Sequence, residues 1–405
     1  MSEHHIIRLG HHGDGIADGP VYAPVTLPGE VVTGTVDGQT LRDVRVVTPS
    51  QHRVAAPCRH FKACGGCQLQ HASDDFVAAW KQGIVQAALD AHGLETELRP
   101  ITSSPPQSRR RATFAAKRTK KGAMAGFYGR GSDVVIEIPD CKLVHPDLIA
   151  GLDVARELAI VGASRKAPLS VTVTLSADGL DVAVQNGKPL DGPLRMALGQ
   201  LCEHQGLARL AWEDDVIATR LPPRQSFGRA RVAPPSGAFL QATVHGERAL
   251  LASVKEAMGD AGRIADLFAG VGTFALPLAE ATRVHAVEGE AAMVEALHHG
   301  WRMGEGLKPV TVEARDLYRR PLLPDELRRF DAVVLDPPRA GAERQVVELR
   351  TARVPRIAYV SCSPVTFARD AAMLCAAGYR LDWIQVVDQF RWSSHVELVG
   401  CFTLA

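Results

Sequence analysis

The segment "GRIADLFAGVGTFALPLAEA" (Gly262–Ala281) constrains the fold more than any other part of this chain. An apolar, β-rich run ends in a loop with two glycines and passes directly into a helical stretch. The alternation then repeats. "RVHAVEGE" reads as a strand before a second helix, and "KPVTVEARD", "RFDAVVLDPP" and "RIAYVSCSP" are three further apolar runs, each followed by a loop. Strands alternating with helices predict a parallel, doubly wound, Rossmann-like α/β sheet, with ligands outside the carboxyl ends of the strands. Two closing runs, "YRLDWIQVVDQF" and "HVELVGCFTL", have only a short loop between them, which predicts an antiparallel pair.

The front of the chain has a different character. A length of 405 residues exceeds one ordinary domain, and 46% apolar residues suit a globular protein with real cores. Residues 1–56 are rich in Gly, Val and Thr with closely spaced turn signals and no helical period, the pattern of a small OB-like β-barrel. Residues 57–234 are expected to form an α+β central domain. It contains the helical stretch "DDFVAAWKQGIVQAALDAHG", capped near Gly93, and the alternating "PLSVTVTLSADGLDVAVQN", which reads as a hairpin turning at Asp178-Gly179. Residues 235–405 form the α/β unit. The N-terminus has no apolar run long enough for a signal peptide and no span suits a membrane helix, so a cytoplasmic protein is expected.

Four of the eight cysteines fall into a pattern: "CRHFKACGGCQLQH" holds Cys58, Cys64 and Cys67, and "IPDCKLVHP" adds Cys141 far downstream. A disulfide scaffold does not fit a cytosolic chain. Structural zinc usually takes two short cysteine pairs. Three ligands on one glycine-rich loop with a remote fourth better suit an iron–sulfur cluster, with zinc second and unrelated buried thiols third. Gly65 and Gly66 let the backbone fold so that Cys64 and Cys67 face one centre. Cys202, Cys375 and Cys401 lie in apolar runs and read as core filler.

Net charge is only +1, but its distribution is uneven. "RRRATFAAKRTKK" (Arg109–Lys121) holds seven basic residues and "RLPPRQSFGRAR" (Arg220–Arg231) four, neither with an acid. Local basic stripes on a neutral protein suit a polyanion that touches part of the surface, and Phe114 and Phe127 nearby offer stacking platforms.

In the first strand–turn–helix, Asp266 precedes Gly270, Gly272 and Thr273. Glycines there let a ligand approach the backbone at a helix N-terminus. A nicotinamide fingerprint has three glycines; two, preceded by an acid within the strand, is the variant shown by S-adenosylmethionine-dependent methyltransferases, with dinucleotide binding the weaker alternative. Glu288 ends the second strand, where a carboxylate can accept from ribose hydroxyls, and Asp316 follows the third within reach of an adenine. "LDPPR" ends the fourth strand with Asp336, and "SCSP" ends the fifth with Cys362. A cysteine at such a strand end is either filler or a nucleophile.

Asp-Pro-Pro-Arg, Ser-Cys-Ser-Pro and "HVELV", in this order, together resemble the RNA uracil-5-methyltransferases. The resemblance covers nearly the whole chain: a TRAM-like start ("LPGE", Gly13, Gly15), four cysteines, the "RRRA" run, and "FLQ" (Phe239–Gln241) opening the catalytic unit. It is nearest the branch acting on 23S ribosomal RNA. The resemblance implies a class I S-adenosylmethionine fold, Cys362 as nucleophile and Glu397 as the base that removes the C5 proton. It further implies Gln241, Phe268, Gly270, Thr273, Glu288, Asp316 and Asp336 as cofactor-site positions, and Cys58, Cys64, Cys67 and Cys141 as ligands of a 4Fe-4S cluster. Thr273 departs from the Asn of several relatives, and Asp316 stands where some members have Asn. The implied chemistry is covalent: a thiolate adds to C6 of uracil, C5 takes the methyl group, and a base removes the C5 proton. A thiolate near neutral pH needs positive potential, for which Arg339 is a candidate. The uridine must be flipped out of folded RNA, gripped by the basic runs and the barrel. The expected partner is RNA, 23S ribosomal RNA ahead of transfer RNA, bound by a monomer.

Overall fold

The computed structural model describes residues 2–404. Its first unit is a small closed barrel of five strands between Glu3 and Thr48, around Ile6, Ala17, Ala23, Val32 and Leu41. The second is a seven-stranded sheet in which only Gly179–Gln185 and Arg209–Trp212 run parallel. Its hairpin Leu169–Ser176/Gly179–Gln185 turns at the expected Asp178. Helices Gly151–Gly162 and Gly192–His204 share its core, which also takes in the four patterned cysteines.

The third unit is an eight-stranded sheet. Its elements are α1 (Asp74–Asp90), β1 (Glu97–Ser103), α2 (Val244–Met258), β2 (Arg263–Leu267), β3 (Arg283–Glu288), α3 (Ala291–Met303), β4 (Val310–Ala314), β5 (Ala332–Leu335), β6 (Arg356–Ser361), α4 (Pro364–Ala376), β7 (Tyr379–Asp388) and β8 (Glu397–Leu404). The strand order is β4-β3-β2-β5-β6-β8-β7-β1. Strands β4 to β6 are parallel, and β8 runs antiparallel between β6 and β7, as their spacing predicts. The order reverses between β2 and β5, the switch point where such sheets hold ligands.

One element departs from the sequence reading. β1 pairs in parallel with β7, and α1 buries Val85 and Leu89 in the core of the α/β unit. The sheet thus takes its edge strand and a covering helix from the region expected to belong to the central domain. The basic run also differs from expectation. Phe114 is fully buried and cannot stack on a base, while Arg110 is buried in an ion pair with Glu247. Among the described residues no helix is long and apolar enough to cross a membrane.

Candidate active site

The β2 turn is built by steric necessity. Phe268 has φ 63°, Gly270 55° and Gly272 95°. A Cβ on Gly272 would lie within 2.9 Å of Leu276 and Leu297, so glycine is needed for packing; at Gly270 nothing lies within 4 Å, so the space above it is open. Glu288, at the end of β3, accepts from the Gly270 and Glu290 amides at 2.9 Å each. Its carboxylate is thereby aimed over the turn, with lone pairs left for a ligand's hydroxyls. Asp316 accepts from the Tyr318 amide at 2.9 Å, and the Tyr318 ring stands 5.4 Å from that of Phe268, an aromatic pair beside the turn. Beneath the turn, Asp266 is fully buried and neither carboxylate oxygen has a hydrogen-bond partner. Burial, and then the charge of Asp336, raises its pKa well above the ordinary carboxylate range, although the Ala275 amide approaches closely enough to oppose this. An open glycine shelf, an oriented carboxylate and an aromatic pair fit an adenosyl group.

The second half of the site lies across β5, β6 and β8. Pairing of Ser361 with Leu398 places Cys362 beside Glu397 at the next step of the ladder. Ser363 caps α4 by accepting from the Thr366 amide, with Pro364 in the first turn, so the chain leaves β6 sharply and Cys362 stays half-exposed at the bend. Burial, and then the charges of Glu397 and Asp336, pushes the Cys362 thiol up to about 11, with Arg339 pulling the other way. Glu397 is pushed to about 8, mainly by burial and then by Asp336. Asp336, partly open to the cleft, is raised to about 7 by desolvation and Glu288. Two carboxyls and a thiol, each holding its proton more tightly than in water, are therefore crowded together.

Gln389, which the sequence did not single out, joins these parts. Its Nε2 donates to Glu397 Oε2 at 2.9 Å and to Gln241 Oε1, and its Oε1 accepts from the Ala242 amide at 2.7 Å. Gly246 in α2 makes room for it, since a Cβ there would lie 2.5 Å from Gln389 Cβ. The only signal available was a glycine two residues into a helix. Thr273 instead lines the cleft of about 710 Å³ between the central and α/β units, beside His245 and Arg248.

Cys58, Cys64, Cys67 and Cys141 line one small cavity with Gly66 and Phe127. Neither Gly65 nor Gly66 has a positive φ, so glycine serves here for room and not for conformational freedom: a Cβ on Gly66 would lie 2.9 Å from the Phe127 ring and 3.4 Å from Cys64 Sγ. The amides of Gly66 and Leu143 each lie 3.4 Å from a sulfur, of Cys64 and Cys141 respectively, and Arg109 and Arg130 supply positive charge. Among the described residues no three His, Cys, Asp or Glu side chains close around a single metal ion.

Strand order, glycine turn and the carboxyls at successive strand ends define an S-adenosylmethionine-dependent methyltransferase. The model of the tRNA (uracil-5-)-methyltransferase family matches residues 209–403. An uncharacterised RNA methyltransferase of Brucella suis biovar 1 is 44% identical over 98% of this chain and 97% of its own. The 23S rRNA (uracil(1939)-C(5))-methyltransferase of Shewanella piezotolerans is 30% identical over 98% and 95%. In fold, the chain is similar to the Pyrococcus abyssi tRNA (uracil-54, C5)-methyltransferase, with a TM-score of 0.77 and 99% of each chain covered at 24% identity. The chain belongs to the RNA uracil-5-methyltransferase family: it is an S-adenosylmethionine-dependent enzyme that methylates C5 of uracil in RNA.

Proposed function

We propose that this enzyme methylates a flipped-out uridine of structured RNA through a transient bond between Cys362 and C6, with Glu397 as the base. The observation that carries this reading is the position of Cys362, one residue past the end of β6, next to Glu397 at the start of the neighbouring β8. Addition of the Cys362 thiolate to C6 places electron density on C5. Bound S-adenosylmethionine supplies the electrophilic methyl group. Glu397 then takes the C5 proton, the C5–H electron pair re-forms the ring double bond, and the C6–S bond breaks to release the thiolate. A buried carboxylate whose proton affinity is raised is a stronger base than one in water. Arg339 is the cation that favours the thiolate.

Gln241, Phe268, Gly270, Glu288, Asp316 and Asp336 would hold the cofactor, with Thr273 at the cleft side. The four cysteines would hold a 4Fe-4S cluster. Four thiols around one small cavity, three of them on a single glycine-rich loop, with amides near two sulfurs and two arginines nearby, support a cluster over zinc. When bound, it ties the loop 58–67 to Cys141. The favoured substrate is 23S ribosomal RNA, supported by the full-length Shewanella relative, with transfer RNA second.

The test uses RNA containing 5-fluorouridine, in which the C5 position cannot lose a proton. Wild type is expected to give a denaturation-stable protein–RNA adduct and Cys362→Ala none. Undiminished 5-methyluridine formation by Cys362→Ala would defeat the mechanism. Mapping 5-methyluridine in RNA from cells lacking the gene identifies the target.

A further inference from the structure

The loop between β7 and β8, residues 389–396, carries Gln389 at one end and leads into Glu397 at the other, yet most of its anchors lie outside the catalytic sheet. Just before it, the fully buried Lys81 of α1 donates to Asp388 Oδ1 at 2.6 Å and to the Phe390 carbonyl at 3.1 Å. Arg391 reaches Asp74 and the Ser104 carbonyl. Most telling is Trp392. Its carbonyl accepts the amides of Gln68 and Leu69, at 2.7 and 3.0 Å, immediately after Cys67. Its side chain is 4% exposed and packs in the same core as all four patterned cysteines. It also holds φ 59°, a conformation a bulky residue keeps only where its surroundings impose it.

We propose that Trp392 is a positioning residue through which the four-cysteine loop holds the loop of the catalytic base. The cysteine loop then governs the second half of the reaction, removal of the C5 proton and expulsion of Cys362. This inference rests on the reading of Glu397 as the base. If Trp392 lets go, Gln389 and Glu397 lose their register against Cys362. Addition to C6 and methyl transfer still proceed, but the methylated adduct waits for a displaced carboxylate.

The experiment follows a methyl-labelled cofactor in full-length protein under rapid quench. Protein–RNA adduct bearing the label is counted after denaturation in wild type, Trp392→Ala and Trp392→Phe. Displacement of a reacting group by about an ångström costs on the order of 100-fold. Trp392→Ala should therefore hold at least roughly tenfold more labelled adduct than wild type, with kcat lowered and KM for RNA changed less than about twofold. Trp392→Phe, which keeps an aromatic ring in the core, should restore turnover. A raised KM without labelled adduct, or unchanged kinetics, overturns the inference. Should every variant form the 5-fluorouridine adduct while Trp392→Ala shows no excess of methylated adduct, this inference alone fails. Absence of any adduct, fluorinated RNA included, overturns the covalent reading and takes this inference with it. If Trp392→Ala does not fold, hydrogen exchange in wild type decides. Amides of Gln68 and Leu69 should open together with those of 389–396, and opening of the base loop while those two amides stay closed overturns the coupling.

Discussion

Glu397 takes its proton affinity from burial, not from a chemical peculiarity. Its pKa in the fold is about 8 against an ordinary 4.5. Between those values the unfolded chain sheds a proton that the folded protein keeps, so this residue lowers stability as pH rises through that window. Glu397→Gln should therefore melt about 2–5 °C above wild type at pH 9 and show no gain near pH 4, as thermal unfolding across pH will reveal. Turnover has the opposite sense: the base works as a carboxylate, so wild-type product formation should climb as pH passes about 8. Because Asp336 titrates nearby, the midpoint belongs to the pair. The positions of Cys362, Glu288 and Asp336 were legible in the sequence, since each sits at or just past the end of a strand in a short motif, whereas Glu397, which opens β8, came from the family resemblance. Gln389, Asp266 and Tyr318 were not assigned. Gln389 acts through partners at positions 241 and 397, and nothing in a local pattern announces such a bridge.

Among the elements, α2 illustrates how a helix can serve a site it does not contain. Thr243 caps it by accepting from the Gly246 amide at 2.8 Å, and Gly246 then presents a bare surface to Gln389. Gly246→Ala inserts a methyl group where there is no room. Overpacking of this kind costs about 1–3 kcal/mol, and here the displaced group is the one that orients Glu397. The variant should lose both melting temperature and turnover, whereas Gly83→Ala in α1, where a Cβ meets open space, should lose neither. The parallel strands were readable because short apolar, β-rich runs alternate with helical stretches between turn signals. β1 escaped notice because its sequence "ELRPITS" contains a proline and few apolar residues, as a sheet edge allows. The pairing of Lys81 with Asp388 is equally silent in sequence, since two residues so far apart share no period.

Taken whole, the molecule spends much of its basic charge internally. Arg110 pairs with Glu247, Arg220 with Glu203 and Arg224 with Asp178, so the stripes read from sequence are partly structural. Arg229 and Arg231 are exposed and have no ion-pair partner among the described residues. They are the members of the second stripe left free to meet phosphate. Replacing both by alanine should weaken RNA binding at every sequence and reduce the slope of log affinity against log salt by about 0.7 per lost contact. Filter binding at several salt concentrations measures this, and an unchanged slope would remove the pair from the RNA interface.

The exchange of α1 and β1 into the catalytic sheet has a consequence for how the protein is made. On a ribosome, this helix and strand emerge long before β7, the neighbour against which they finish. Until then Lys81 lacks its Asp388 counter-ion and β1 has no strand partner on either side. That helix and strand must wait for the far end of their own chain, while the barrel and the central sheet have cores of their own. A gene fragment beginning at residue 235 would lack that strand altogether, leaving an unprotected flank on its sheet, and should be recovered from cells as aggregate.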